Sequence, residues 1–275
     1  MGNPGETVSP DSPALPGVSL TPLPSEAQVE WKPSDLAVFI GFVVLAFLLT
    51  DFLVLAGYFG LKAARGWRVS LTAVEQNPFF LVVFQTVFYA LLLGFIYLLV
   101  VVNHRWPFWK ALKWRPPVQA RRVQFLLGGV LLAFATRYTP TLLPERDSFP
   151  LERLFSSPSS AYAVAAFAVF IAPFMEELVF RGVLFSMFDS LLGLRFAIVT
   201  TTLLFAGLHV PEYWGAWHHV LMIALVGFAF SLGRGLTGSL ATSYILHLAY
   251  NATLIAFLFF ETQRFQTIQG LILPG

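Results

Sequence analysis

Seven apolar runs set the layout of the chain: residues 36–61, 79–102, 123–143, 161–188, 196–209, 218–232 and 240–260. A helix that crosses a bilayer needs about 20 apolar residues. The first four runs and the last reach that length. The fifth and sixth are short, and Pro211 ends the fifth just past His209. The pattern predicts an all-α fold, a polytopic membrane helix bundle of about seven transmembrane helices, with six and eight as the bounds. Residues 1–35 are rich in Pro, Ser and Gly, lack apolar periodicity and predict a disordered tail. They do not read as a signal peptide, having no basic start followed by an apolar core. Trp31 and Lys32 stand where an interfacial anchor belongs. The segment 103–122 sets Trp106, Trp109 and Trp114 among arginines and lysines, the pattern of a stretch lying on the membrane surface. Residues 36–150 therefore form an N-terminal set of membrane helices, 151–262 a second core, and 263–275 a C-terminal tail.

Composition agrees with a multi-pass integral membrane protein. Hydrophobic residues make up 57% of the chain and charged residues 12%, about half the charge of a soluble domain. A net charge of +2 and the lack of a basic aromatic surface argue against a nucleic-acid partner, leaving membrane lipid as the surroundings. Cysteine is absent, which excludes disulfides, thiolate metal ligands and a cysteine nucleophile. Basic loop residues, concentrated between Arg105 and Arg122, modestly favour the N-terminal side as cytoplasmic.

Charge inside the runs is what calls for explanation, because an ionisable side chain at membrane depth costs at least a few kcal/mol. The fourth run carries Glu176, Glu177 and Arg181. Glu177 and Arg181 are four residues apart and share a helix face in the favourable order. Glu176 points about 100° away and is free to face something else. Such a triplet could equally be a structural lock between helices. Asp51 and Arg137 each lie about fifteen residues into runs of the same direction, so a mutual salt bridge is expected. His218 and His219, after Trp214 and Trp217, read as an interfacial loop, and His104 as the start of the basic segment. Arg234 reads as a loop residue past the sixth run.

Three polar positions join the triplet. Phe205 and His209 are four apart, so the ring packs beside the imidazole, and His247 and Asn251 share a face of the last run. At about 1.5 Å rise per residue, Glu176 and His209 lie roughly 20 Å from the starts of their runs and His247 roughly 11 Å from the start of its own. Antiparallel neighbours can bring these heights together into one candidate site. Peptide hydrolysis needs a base for water, a stabiliser for the oxyanion and a proton donor for the leaving amine. A carboxylate, two imidazoles and an amide can supply these. No Gly-x-Ser-x-Gly context singles out a serine nucleophile.

Glu176-Glu177-x-x-x-Arg181, Phe205-x-x-x-His209 and His247-x-x-x-Asn251, in this order on separate apolar runs, resemble the three-motif signature of the CPBP family. That family comprises the CAAX-type prenyl proteases and the bacteriocin-processing or Abi-like intramembrane proteases. The resemblance covers about residues 160–255. It implies an intramembrane endopeptidase acting on membrane-associated peptides or proteins, prenylated ones among them. It implies Glu176 as the water-activating glutamate, His209, His247 and Asn251 as the rest of the catalytic set, and Glu177 and Arg181 as a supporting pair. The family's common class, metalloprotease, implies a divalent metal, zinc first, held by His209 and His247 with Glu176. There is no His-Glu-x-x-His here, so any metal site must be assembled between helices. The competing readings are a non-enzymatic immunity or scaffold protein and a small proton-coupled transporter.

Overall fold

The computed structural model describes residues 29–66, 68–138 and 157–266. The expectations for residues 1–28, the link 139–156 and the tail beyond 266 lie outside the described residues. Eleven α-helices are described: α1 Pro33–Arg65, α2 Leu71–Glu75, α3 Pro78–Tyr97, α4 Phe108–Ala111, α5 Gln119–Tyr138, α6 Pro158–Ala166, α7 Ala172–Glu177, α8 Phe185–Leu192, α9 Leu194–His209, α10 Trp217–Thr237 and α11 Leu240–Glu261. Three π-helical stretches join some of them end to end: π1 Leu98–Asn103 after α3, π2 Phe167–Ile171 between α6 and α7, and π3 Leu178–Leu184 between α7 and α8. The seven long segments match the seven apolar runs. Five of them are long and apolar enough to cross a membrane: Pro33–Arg65, Pro78–Asn103, Pro158–Leu192, Trp217–Thr237 and Leu240–Glu261.

Local chemistry sets the ends. Pro78 starts α3 with its fixed φ, and Asn77 Oδ1 accepts the Phe79 N–H at 2.9 Å. Pro158 starts α6 the same way, with Ser157 as its cap. At Gly193 (φ 87°) the chain turns from α8 to α9, and Gly238 (φ 63°) separates α10 from α11. Both angles suit glycine because no Cβ is present to clash.

The segment Pro158–Leu192 is the centre of the bundle. Of its most apolar window 56% is buried, against 11–28% for the other four spans. Around it α9 packs on α10, α5 along α11, and α1 on α3. The α5–α11 approach is close at Gly129, where an added Cβ would lie 2.4 Å from Leu246 O and 2.7 Å from Ala249 Cβ. Outward positions such as Leu48, Phe52, Leu131 and Leu203 are exposed and apolar, as lipid contact requires. The basic segment is bound to the start of α11: Leu240 N–H donates to Lys113 O at 3.0 Å, and Ser239 Oγ donates to Arg115 O. Trp114 packs against Phe174 and Tyr244.

Three expectations need correction. Arg137 pairs with Glu261 at 3.0 Å, not with Asp51, which is exposed on α1. Equal depth allowed the Asp51–Arg137 pairing, but α5 lies along α11 and not along α1. Arg234 is not a loop residue; it lies within α10 and is 1% exposed. His218 and His219 lie in the first turn of α10, where the His219 ring stacks on Tyr213 at 5.5 Å. In addition, Trp31 is buried and edge-on to His104, which pairs with Asp35 at 3.1 Å and so holds the start of α1 to the end of π1.

Candidate active site

Glu176 and Glu177 are the last residues of α7, and Arg181 lies in π3. The expected face-sharing pair forms, with Arg181 Nη1 3.0 Å from Glu177 Oε1 and both side chains fully buried. Arg181 is held on every side. Its Nη2 donates to Gly227 O at 2.8 Å, its Nε to Ser231 Oγ at 3.3 Å, and its guanidinium lies 4.5 Å from the Phe205 ring centroid. Gly227 is buried in α10 facing this group, where a Cβ would meet Phe205 Cδ1 at 2.9 Å. The pair therefore fastens the central helix to α9 and α10.

His247 of α11 lies across the two carboxylates. Its Nδ1 is 3.0 Å from Glu177 Oε1, and its Nε2 is 3.7 Å from Glu176 Oε2. Because Glu177 is acceptor-only as a carboxylate, His247 Nδ1 donates to it, and Nε2 faces Glu176. Glu177 Oε2 is buried without a hydrogen-bond partner among the described residues. Of the two acids, Glu176 is the accessible one, its side chain 23% exposed against 0% for Glu177.

The remaining expected residues join through shared neighbours. His209 ends α9 with Nδ1 2.8 Å from Phe205 O, an arrangement in which Nδ1–H donates and Nε2 is left open. The Phe205 ring is 4.9 Å from the His209 ring and 6.0 Å from the His247 ring, so it joins the two imidazoles. Phe230 stacks on the other side of His247 at 4.6 Å. Asn251, one turn beyond His247, donates from Nδ2 to Ala168 O of π2 at 2.8 Å. The structure thus brings Glu176, Glu177, Arg181 and His247 into direct contact, adds His209 through Phe205, and ties Asn251 to the central helix. Among the described residues no group of three or more His, Cys, Asp or Glu side chains is placed to hold a metal ion. The expected His209–His247–Glu176 ligand set is therefore not assembled in this arrangement.

Sequence reasoning missed four contributors. Tyr89 of α3 stacks on Phe167 of π2 at 6.0 Å and lies close enough to Glu176 to feel its charge. Its run carries no charge, so comparing charged residues passed over it. Arg234 donates from Nε to Arg181 O at 3.0 Å and from Nη2 to Ser186 Oγ at 3.3 Å, supporting π3 from α10. Ser231 and Arg234 are three apart and share a face, a signal that was legible. Glu212, on the turn after α9, acts electrostatically on both His209 and Glu176. Crowding by the protein, and then the Glu176 charge, push the Glu212 carboxyl above the usual carboxylate range, while His209 opposes this. A carboxylate three residues past His209 was also legible.

No curated protein and no solved structure matches the chain. The family model described as "Type II CAAX prenyl endopeptidase Rce1-like" matches residues 158–253, the stretch from the start of α6 to Thr253 of α11 that holds all seven expected site residues. This stretch is accordingly similar to the Rce1-like family of CAAX-type intramembrane proteases, and it is carried in a multi-pass membrane protein.

Proposed function

We propose that the chain is an intramembrane endopeptidase in which Glu176 activates the attacking water. The supporting observation is the division between the two acids. Glu177 is fully buried and held by Arg181 and His247 Nδ1, while Glu176 is partly open and faces His247 Nε2 at 3.7 Å. A water between Glu176 and His247 gives its proton to Glu176 and attacks the peptide carbonyl. The oxyanion that forms needs a donor in a site of low dielectric. The Asn251 amide has one N–H left beyond the one given to Ala168 O and serves that role. Collapse of the tetrahedral intermediate expels the amine, which takes its proton back from Glu176. His209 keeps Nδ1–H on Phe205 O and turns Nε2 to the substrate or water, with Glu212 available to support a positive charge on the ring.

The substrate class that fits is a membrane-associated peptide or protein, prenylated ones included, cut in or beside the bilayer. No step is routed through a metal, because the described donors do not converge on one. Glu176→Gln tests the reading in purified protein. We expect unchanged folding and loss of peptide turnover by about 10²–10⁴-fold, on the scale of removing a general base. Turnover that survives in Glu176→Gln rejects the assignment. Proton-coupled flux through liposomes without any peptide cleavage would place the protein with transporters instead.

A further inference from the structure

Asp51 is the one charged residue on α1 between Asp35 and Lys62. Asp35 is held at the near end by His104, and Lys62 lies 5.8 Å from the Tyr58 ring at the far end. At about 1.5 Å rise per residue the stretch between them is about 40 Å long, against a hydrocarbon core of about 30 Å. Asp51 falls about 4 Å from its midpoint, so every placement of the span leaves it in the apolar part of the bilayer. An acid at that depth almost always faces the interior of a bundle or a partner charge. Asp51 does neither: it is exposed, and no hydrogen bond or ion pair reaches it among the described residues. Thr50 beside it is buried and donates within the helix, to Ala46 O at 2.7 Å.

Helix α1 lies at the edge of the bundle, along α3. Phe42 stacks on Phe95 at 3.9 Å, and Phe47 meets Phe84 edge-on at 5.7 Å. Asp51 is one turn beyond Phe47 and stands beside that seam. On its face Leu48 and Val44, one and two turns before it, are more than half exposed. Among the described residues a second copy of the chain has no free cation to bring to that depth. Arg137 is held by Glu261, Arg181 by Glu177, and Arg234 by Arg181 O and Ser186 Oγ. Lys62 and Arg65 lie about 16–21 Å further along α1.

We propose that the Asp51 face of α1 docks a membrane helix of a partner protein that carries Lys or Arg near the middle of the bilayer, its cation pairing with the Asp51 carboxylate. Lipid tails are as apolar as leucine, so Val44 and Leu48 offer a partner only close packing. The carboxylate is what sets one helix apart from another and fixes its height against α1. The face lies outside residues 158–253, so a helix bound there is attached to the protein without covering Glu176.

The test reconstitutes the full chain in phosphatidylcholine vesicles with dansyl-labelled helical peptides of about 20 apolar residues, bearing Lys or Leu at their centre. Energy transfer from the chain's tryptophans to the dansyl group reads association, so the result is independent of peptide turnover. The lysine peptide is expected to associate about three- to tenfold more tightly than the leucine peptide, the scale of one polar contact between membrane helices. Asp51→Asn should bring it down to the leucine level, and Asp51→Glu should keep the preference. Glu75→Gln, which alters an exposed acid at the end of α2, should change nothing. Equal association of the two peptides, or a lysine preference that survives in Asp51→Asn, would overturn the proposal. Energy transfer between two labelled populations of the chain, lost in Asp51→Asn, would also overturn it by making a second copy the occupant.

Discussion

Replacing Arg181 with alanine removes the cation that pairs with Glu177 in the interior of the site. Glu177, with no exposed surface, would keep only the His247 Nδ1–H on Oε1, and its Oε2 is already unpaired among the described residues. Gly227 O would lose its donor, and the Phe205 ring the guanidinium 4.5 Å away. Breaking a fully buried pair by removing one partner costs about 3–5 kcal/mol. That is about a fifth or more of the roughly 5–15 kcal/mol that stabilises a typical domain. At about 2–4 °C per kcal/mol for a chain of this size, the midpoint should fall by roughly 6–20 °C. The assay is thermal unfolding of purified protein in detergent, followed by tryptophan fluorescence together with the yield of monodisperse protein. The double variant Glu177→Leu with Arg181→Leu separates lost packing from stranded charge. Swapping a buried pair for apolar residues is often neutral, so at least half of the loss should return, while peptide turnover stays absent because His247 has lost its Nδ1 partner. A fall below about 2 °C in Arg181→Ala, or a double variant as unstable as the sum of its singles, would refute the view that an uncompensated Glu177 charge is the penalty.

Other expectations can be checked in the same preparation. Gly129→Ala forces backbone against backbone at Leu246 O and Tyr250 N, so it should cost about 1–3 kcal/mol in unfolding measurements despite its better helix propensity. Arg137→Gln should change stability by less than about 1 kcal/mol, because the Arg137–Glu261 pair is more than 40% exposed on both sides. Tyr89→Phe should lower peptide turnover about tenfold with unchanged yield if the hydroxyl donates to Glu176 during turnover, the loss of one hydrogen bond to a charged group; unchanged turnover would remove Tyr89 from the site. Turnover measured in excess chelator should equal that without it; a loss restored by zinc would reinstate His209 and His247 as ligands. Lys113 titrates below 10.5 in the folded chain, so the unfolded state binds more protons just under that pH. Lys113 should therefore add to stability as pH rises through that window, and the climb should be smaller in Lys113→Met.

What the sequence disclosed well was local. Apolar runs located all seven long helices within a few residues, and four-residue spacings gave both the Glu177–Arg181 pair and the Phe205–His209 contact. Contacts between helices were legible only where depth and family resemblance agreed, as for His247 beside Glu176. Depth alone misled at Asp51 and Arg137, because many residues share a height and only helix packing selects among them. Arg234 was lost for a related reason: a buried arginine after an apolar run looks like a loop cation until Arg181 O and Ser186 Oγ are seen to receive it. The π-helical stretches left no mark in the apolar pattern, since one extra residue within a long apolar run does not change its extent.

Those stretches have a consequence for how the central helix may vary. Ala172 N–H reaches back to Phe167 O and Phe185 N–H to Phe180 O, each spanning one residue more than an α-turn allows. At 3.6 residues per α-turn, one extra residue shifts the phase of everything beyond it by about 100°. The six residues of α7 that end in Glu176 and Glu177 are thus clocked independently of the helix on either side. Deleting one residue within 178–184 would let that turn relax to ordinary α geometry and would leave a segment long enough to cross the membrane. Because the wide turn already absorbs the extra residue, α8 would keep its phase and its Ser186 would stay beside Arg234, while spacings that reach across the turn, such as Glu177 to Arg181, would change.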